Sequence, residues 1–355
     1  MPFRLLVINP GSTSIKLAVF VDDKKVISGN KQHVDDAACA LADSQFQLQL
    51  GLTIVREFLQ ENDLTITDFD AVVARGGLLR PIPSGTYLVS QNMVDELVVH
   101  KHGQHPANDG AIIAWQLTHE HNIPAYIVDP VVVDELFELA RITGRPDMKK
   151  ESIFHALNQK AVAKRYAKMQ GKNYSEISVV VAHMGGGISV GCHHKGRVIE
   201  VNNGLDGEGP FSPNRLGTVQ AREFFELVNK NKWHAENISE IFMGKSGVYA
   251  HLGTADMREV EERADNGDER ARLIFAAMAY QTARYIAATA VAAKGAIEQI
   301  ILTGGIAHSQ QMTDKIIDYV RFIAPVTVMP GEDEMQALAE GALRVLTGEE
   351  AVLTY

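Results

Sequence analysis

The sequence predicts an α/β protein made of two duplicated domains. Its 355 residues are too many for one ordinary core, and they suffice for two domains that each bury their own apolar interior. Short runs of β-branched residues alternate with helical stretches, and one strand-turn-strand pattern occurs twice.

The elements follow in order along the chain. In the first half we predict strands over residues 4–8, 15–21, 71–74 and 125–128, and helices over 51–61 and 110–121. In the second half we predict helices over 151–169 and 268–294, and strands over 177–182, 188–193, 197–201, 300–302 and 325–328.

The repeated pattern carries the duplication hypothesis. RLLVINPGSTSIKLAVFVDDKKVISG begins at Arg4, and VVVAHMGGGISVGCHHKGRVIEV begins at Val179. In each, an apolar strand ends in a polar residue, Asn9 or His183, and a glycine-containing turn, a second strand, a polar turn and a third strand follow. Two such units suggest two copies of one domain.

Composition excludes several classes of protein. Lys and Arg number 34 against 44 Asp and Glu, so the net charge of −10 disfavours nucleic acid and anionic membranes as partners. Apolar stretches fall short of the roughly 20 residues of a membrane span. Cys39 and Cys192 are too few for a disulfide framework, and no signal-peptide pattern opens the chain. We expect a cytoplasmic protein.

Three glycine-containing turns could bind phosphate. INPGSTS offers backbone N–H groups and the hydroxyls of Ser12, Thr13 and Ser14, with Lys16 on the next strand. AHMGGGISVG places Gly185, Gly186 and Gly187 after a buried strand, and ILTGGIAHS ends a strand before a helix. Each could instead be an ordinary hairpin or strained turn. The P-loop and the GxGxxG fingerprint are absent.

Several charged residues are candidates for the chemistry. Asp129 follows a strand and precedes Pro130, where it is either an active-site carboxylate or a helix cap. The acidic run 332–334 is either magnesium-associated or a set of favourable first-turn charges. The loop arginines Arg75, Arg80 and Arg215 suit carboxylate and phosphoryl oxygens, although such residues are ordinarily solvated.

Histidines allow two interpretations. His155, predicted one turn into a helix, is either a buried structural residue or a ligand. The spacing of His100, His102 and His105 matches no zinc pattern, so we expect a solvated loop there, and the same at His193 and His194.

Seven ordered blocks resemble the acetokinase family. They cover residues 8 to 346 and read INPGSTSIKLAVF, AVVARGGLLRPIPSGTY, YIVDPVVVDEL, AHMGGGISVG, SPNRLG, ILTGGIAHS and PGEDEMQALAEGALRVL. The resemblance implies an actin-like, ribonuclease H-like fold with an interdomain cleft, a homodimer, ATP and Mg²⁺. It implies an N-terminal acyl-substrate domain of residues 1–150, joined by a C-terminal helix 333–355, and a nucleotide-binding domain of residues 151–332.

The family's roles carry over residue by residue. The resemblance assigns Asn9, Ser12, Ser14 and Lys16 to a first phosphate loop and His183, Gly185, Gly186 and Gly187 to a second. It makes Asp129 the catalytic aspartate, His155 the transition-state histidine and Arg215 the arginine on the transferred phosphoryl group. It places Gly304, Gly305 and Ile306 beside the adenosine and Glu334 beside magnesium.

Two departures from the acetate-specific pattern favour a butyrate-type substrate. That pattern has an arginine three residues before HisGlyGly, whereas Val72 and Arg75 stand at the aligned positions here, so Arg75 and Arg80 both remain candidates for the acyl site. It also has a second histidine four residues after the first, where Gln159 stands here.

The expected reaction is ATP-dependent phosphorylation of a short-chain acid to an acyl phosphate, by direct and reversible in-line transfer. A carboxylic acid with a pKa of about 4 is ionised at pH 7, so Asp129 would position groups rather than act as a base. Two alternatives stay open: a sugar kinase that uses Asp129 as its base, and a nucleotide-operated binding module with no phosphoryl acceptor.

Overall fold

The computed structural model describes residues 2–11, 14–32 and 44–355. They form two compact units, Met1–Val133 with Asp333–Tyr355, and Asp134–Glu332. The sequence placed the boundary near residue 150, but the segment after 133 packs with the second unit. There Asp134 forms an ion pair with Arg141, and Glu135 binds the fully buried ammonium of Lys160 at 2.6 Å.

The strands and helices alternate as the sequence predicts. The strands are β1 (Arg4–Pro10), β2 (Ser14–Val21), β3 (Lys24–Gln32), β4 (Ala71–Arg75), β5 (Thr86–Leu88), β6 (Ala125–Val128), β7 (Ser178–Met184), β8 (Ile188–His194), β9 (Arg197–Val201), β10 (Gln299–Gly304), β11 (Val326–Pro330) and β12 (Leu353–Thr354). The helices are α1 (Ser44–Glu61), α2 (Gln91–Val98), α3 (Asn108–Thr118), α4 (Glu138–Arg141), α5 (Ala156–Met169), α6 (Ala221–Asn231), α7 (Ala235–Met243), α8 (Gly247–Leu252), α9 (Met257–Asp265), α10 (Glu269–Ala290), α11 (Gln310–Val320) and α12 (Glu334–Leu346).

The first unit is built on a seven-stranded sheet in the order β12-β5-β6-β4-β1-β2-β3. β1, β4 and β6 are parallel, and β1, β2 and β3 form an antiparallel meander. The predicted terminal helix over 333–355 is too long, since α12 ends at Leu346. Gly348 adopts φ +76°, which favours glycine, and Leu353 then pairs with Tyr87 in β5.

The second unit repeats five adjacent strands of the first, β6-β4-β1-β2-β3. Its sheet has the order β11-β10-β7-β8-β9, with β7, β8 and β9 antiparallel and β7, β10 and β11 parallel. Both meanders contain an irregularity in the pairing of the second strand with the third, at Val19/Phe20 and at Cys192/His193. The predicted duplication is therefore confirmed by topology as well as by sequence.

Each unit has its own apolar core. Buried aliphatic and aromatic residues fill the space between the first sheet and helices α1, α2 and α3, and between the second sheet and helices α10 and α11. Polar or glycine residues lie at or directly after the carboxyl ends of several parallel strands: Asn9 in β1, Arg75 in β4, Asp129 after β6, His183 in β7 and Gly304 in β10. This edge is where α/β sheets place ligands.

None of the helices in the part of the chain that the structure describes is both long and apolar enough to span a membrane.

Candidate active site

In the second unit, a glycine turn joins β7 to β8. Gly185 N–H donates to the Gly187 carbonyl at 2.9 Å, which closes the turn tightly between the two strands. The turn follows His183, which is 2% exposed and whose Nδ1 accepts a hydrogen bond from Asn158 Nδ2 at 2.8 Å. The predicted phosphate turn thus starts from a rigid, buried histidine.

His155 stacks on His183. Their ring centroids lie 3.9 Å apart with planes 9° from parallel, and His155 Nδ1 lies 2.8 Å from Ser189 Oγ on β8. The prediction that His155 lies inside a helix is wrong, because α5 begins at Ala156 and His155 is its N-cap residue. The preceding Ile153 carbonyl accepts from Gly204 N–H, so the backbone there joins a neighbouring segment instead of a helical turn.

The structure brings Arg215 to the same turn. Its guanidinium lies against Gly187, where an added Cβ would sit 2.7 Å from Nε, and it donates through Nη1 to the Gly204 carbonyl. Ser212 anchors the loop by accepting from Arg215 N–H at 3.2 Å and donating to the Gly186 carbonyl. Burial lowers the pKa of Arg215, but arginine starts above 12, so the group remains a cation.

The third glycine segment lies beside the second, within the same unit. Gly304 ends β10 with φ +89°, and a Cβ there would be 2.7 Å from backbone atoms of Met184, so only glycine allows β7 and β10 to approach at this point. Gly305 N–H faces Glu332 Oε1 at 3.4 Å, and the same oxygen lies 3.4 Å from His183 Nε2. Ile306 is 9% exposed in the short 3₁₀ turn that follows.

In the first unit, three predicted residues meet at the carboxyl ends of β1 and β4. Asn9 Nδ2 donates to Glu334 Oε2 at 2.8 Å, and Arg75 Nη1 lies 3.2 Å from the same oxygen. Asp333 caps α12 by accepting from Gln336 N–H. Of the two acidic residues at the start of α12, Glu334 therefore belongs to the cluster and Asp333 to the helix terminus.

Lys16 pairs directly with Asn9 across β1 and β2, so the two side chains share a face of the sheet, and Lys16 is exposed. Ser14 begins β2, and its carbonyl accepts from Gly11 N–H at 2.8 Å. Ser12, predicted to bind phosphate, lies outside the described residues.

Asp129 is buried, 3% exposed, directly after β6. It adopts φ +39°, and its Oδ1 accepts from Ser84 Oγ at 2.6 Å and from Gly85 N–H at 2.8 Å. The carboxylate thereby holds the end of the loop that begins at Arg75. This geometry suits a positioning residue better than a helix cap.

The two candidate acyl-site arginines have different surroundings. Arg75 contacts Glu334, whereas the Arg80 guanidinium lies 4.3 Å from the ring centroid of Tyr355. Tyr355 in turn donates to Glu96 at 2.6 Å. Arg80 is therefore engaged away from the Asn9 and Glu334 cluster.

The prediction of a solvated loop at His193 and His194 is wrong for both residues. His194 ends β8, half-buried, with Nδ1 2.7 Å from Ser178 Oγ. His193 is fully buried, with Nδ1 2.7 Å from Tyr174 Oη and Nε2 3.1 Å from Gln159 Oε1. The prediction failed because β8 continues to His194 and the turn begins at Lys195, two residues later than predicted, so His193 is still a strand residue that faces inward. Sequence reasoning missed three polar neighbours of the histidines: Tyr174 beside His193, Asn158 beside His183 and Ser189 beside His155. Ser189 lies within the AHMGGGISVG block, but nothing local shows which side chain its hydroxyl meets.

The duplicated sheets with glycine turns at their strand ends define an actin-like ATPase fold. Solved structures share it: an acetate kinase from Porphyromonas gingivalis has a TM-score of 0.79 at 19% identity over 96% of this chain and 98% of its own. A propionate kinase from Francisella tularensis has a TM-score of 0.76 at 18% identity over 95% of this chain and 98% of its own.

Sequence comparison gives the family. Residues 150–333 match the model of the acetokinase family. Butyrate kinase 1 of Clostridium acetobutylicum is 48% identical over 353 residues, which is 99% of each chain. The chain therefore belongs to the acetokinase family, as its motifs predicted.

Proposed function

We propose that the protein phosphorylates a short-chain carboxylic acid, butyrate or a branched analogue, with ATP, and that the reaction gives an acyl phosphate and ADP reversibly. The observation that carries the proposal is the cluster at the second glycine turn. Stacked His155 and His183 and the Arg215 cation all lie at this turn, a set of groups suited to a transferring phosphoryl group. The full-length similarity to a butyrate kinase supports the choice of acid.

The acceptor requires no general base. A short-chain acid is already ionised at pH 7, so the site has to overcome the repulsion between a carboxylate and the ATP γ-phosphate. Arg215 supplies fixed positive charge, and His155 supplies an N–H donor to the phosphoryl oxygens as charge shifts in the transition state. Asp129, fixed by Ser84 and Gly85, positions the loop that carries Arg75. Transfer is direct and in line.

We assign the second unit to the nucleotide. Gly186 and Gly187 give backbone N–H groups to the phosphates, in a turn that the Gly185 N–H closes, and Gly304, Gly305 and Ile306 border the adenosine. We assign the first unit to the acid, with Arg75 as its guanidinium partner, and propose that Ser12, Ser14 and Lys16 contact the terminal phosphate.

The residues present fit a magnesium ion carried by the nucleotide. Among the described residues no cluster of three or more His, Cys, Asp or Glu side chains could hold a metal by itself. Mg²⁺ commonly binds through one or two protein oxygens plus phosphates and water. Glu334 and Asn9 would hold it here, and the ion would neutralise charge on the phosphates.

We further propose a cytoplasmic homodimer. The exposed rings of Tyr319 in α11 and Tyr280 in α10 lie 5.4 Å apart, and Phe322 in the turn after α11 is exposed as well. Exposed aromatic residues of this kind suit contact with a second copy. Sedimentation at several protein concentrations would measure the assembly.

A panel of acids in a coupled ADP assay, with hydroxylamine to trap acyl phosphate, tests the function. We expect ADP release that depends on butyrate, isobutyrate, valerate or propionate, with equal hydroxamate formation. Acetate and glucose serve as comparison acceptors. ADP release that needs a sugar, or a phosphoenzyme formed during turnover, would contradict the proposal.

A further inference from the structure

A line of hydrogen-bonding side chains extends from His155 into the second unit. Ser189 Oγ lies 2.8 Å from His155 Nδ1, Gln159 Nε2 lies 2.8 Å from Ser189 Oγ, and Gln159 Oε1 lies 3.1 Å from His193 Nε2. Tyr174 Oη lies 2.7 Å from His193 Nδ1. Ser189, Gln159 and His193 are all fully buried, so water does not compete for these bonds.

The direction of each bond follows from the Gln159 amide. Its Nε2 also lies 3.0 Å from the backbone carbonyl of Ser189, which can only accept, so this end of the amide is the NH₂ group. Oε1 must then accept from a protonated His193 Nε2. Burial, together with the nearby Lys160 cation, sets the pKa of His193 well below its ordinary value, so the ring is neutral and its Nδ1 accepts from Tyr174.

The direction of the Ser189 hydroxyl proton follows from the other groups around its oxygen. Gln159 Nε2 donates to Ser189 Oγ, and the backbone N–H of His155 points at the same oxygen from 3.4 Å. These donors use the two lone pairs of the hydroxyl, so its own proton is directed to His155 Nδ1. An Nδ1 that accepts leaves the ring proton of His155 on Nε2.

We propose that Gln159 and Ser189 are positioning residues that hold His155 in the Nε2–H tautomer, ready to donate to the phosphoryl group in transfer. The inference rests on the proposed function and names how that site is prepared before substrate binds. His183 shows the same arrangement, since Asn158 Nδ2 donates to its Nδ1. The N–H group of His183 is then on Nε2, which lies 3.4 Å from Glu332 Oε1.

Gln159→Glu should reverse the donor and acceptor roles in the hydrogen bonds from residue 159 through Ser189 to His155. A carboxylate at this position cannot donate, so Ser189 donates to it, and Ser189 Oγ then accepts from a proton on His155 Nδ1. We expect the ring to change to the Nδ1–H tautomer and kcat to fall about 100-fold, the usual effect of losing one transition-state donor. The KM for ATP should change less than about three-fold, because the donor acts mainly in the transition state.

The tautomer is read directly from long-range ¹H–¹⁵N spectra of ¹⁵N-histidine-labelled enzyme without substrate, with His155 assigned by its loss in His155→Gln. Ser178→Ala is the matched control. Ser178 Oγ lies 2.7 Å from His194 Nδ1 on the same pair of strands, yet this pair is outside the chain of bonds. The control should leave the His155 signals and kcat unchanged.

Ser189→Ala is the second variant, should Gln159→Glu fail to fold. It removes the donor to Nδ1, and we expect a mixture of tautomers with kcat about 10-fold lower. An Nδ1–H signal for His155 in the wild-type protein would overturn the inference, as would a reversed tautomer with unchanged kcat. Failure of the proposed function is distinguishable, because the wild-type enzyme would then make no acyl phosphate whatever its tautomer.

Discussion

Gly187→Ala tests whether Arg215 acts from the position in which the glycine turn holds it. A methyl group at residue 187 would lie 2.7 Å from Arg215 Nε and nearer still to Cζ and Nη1, whereas ordinary contact begins at 3.4 Å. The guanidinium must therefore move by roughly 1 Å, and a displacement of that size at a reacting group can cost about 100-fold in rate. We expect kcat/KM to fall by that factor.

Gly186→Ala is the matched comparison. It adds the same methyl group one residue earlier, at an exposed position where the nearest atom, Asn214 Oδ1, is 3.9 Å away. Because Arg215 keeps its place, the loss should be at least about 10-fold smaller than for Gly187→Ala. Thermal unfolding of both variants shows whether the turn itself remains intact.

Initial rates in the ADP assay, over a range of acid and ATP concentrations, measure both variants together with Arg215→Ala and the Gly187→Ala/Arg215→Ala double variant. If the methyl group acts only through Arg215, the double variant is no slower than Arg215→Ala alone. Additive losses in the double variant would refute the reasoning, and so would equal activities of Gly186→Ala and Gly187→Ala.

Three other predictions concern stability and the acyl site. Burial raises the pKa of Asp109 to about 6, because the charged form is poorly solvated in the folded protein. As pH rises through that range the buried carboxyl ionises, and the folded state loses stability. Asp109→Asn should therefore stabilise the protein by roughly 1–2 kcal/mol near pH 8 and hardly near pH 4 in urea unfolding; an equal effect at both would contradict this. Arg75→Ala should raise the KM for the acid about 10-fold or more and Arg80→Ala far less, because only Arg75 lies at the Glu334 cluster; the reverse order would favour Arg80. Gly341→Ala, whose methyl group would lie 3.1 Å from Val128 Cβ and closer to its methyl groups, should destabilise by about 1–2 kcal/mol; an unchanged unfolding midpoint would show that α12 can shift.

Much of the fold was predictable because its signals are local. Strands β6 and β9 occur at their predicted bounds, since each is a short apolar or alternating run between clear turns. The short strands β5 and β12 were not predicted. Each has two or three residues and gains its pairing only from a distant partner, β6 in one case and β5 in the other.

The site residues also divide into those that local motifs identify and those that only long-range contacts identify. The motifs identified the glycine turns and their charged neighbours, because phosphate binding needs closely spaced N–H groups that glycine allows within a few residues. They could not choose between Arg75 and Arg80, or separate Asp333 from Glu334. Those choices depend on Tyr355 and on the capping of α12, which bring together residues far apart in sequence.

By itself the sequence determined the α/β class, the duplication, the family and the three glycine turns, all of which are written in local patterns and their order along the chain. Only the tertiary structure decided that His155 occupies the N-cap position of α5 and that His193 is buried. It also decided that Ser189 bonds His155 and that Gln159 bonds Ser189. The physical reason is that a hydrogen-bond direction depends on which partners meet in space. Residues 155, 159, 189 and 193 meet only when α5 packs against the β7–β8 hairpin.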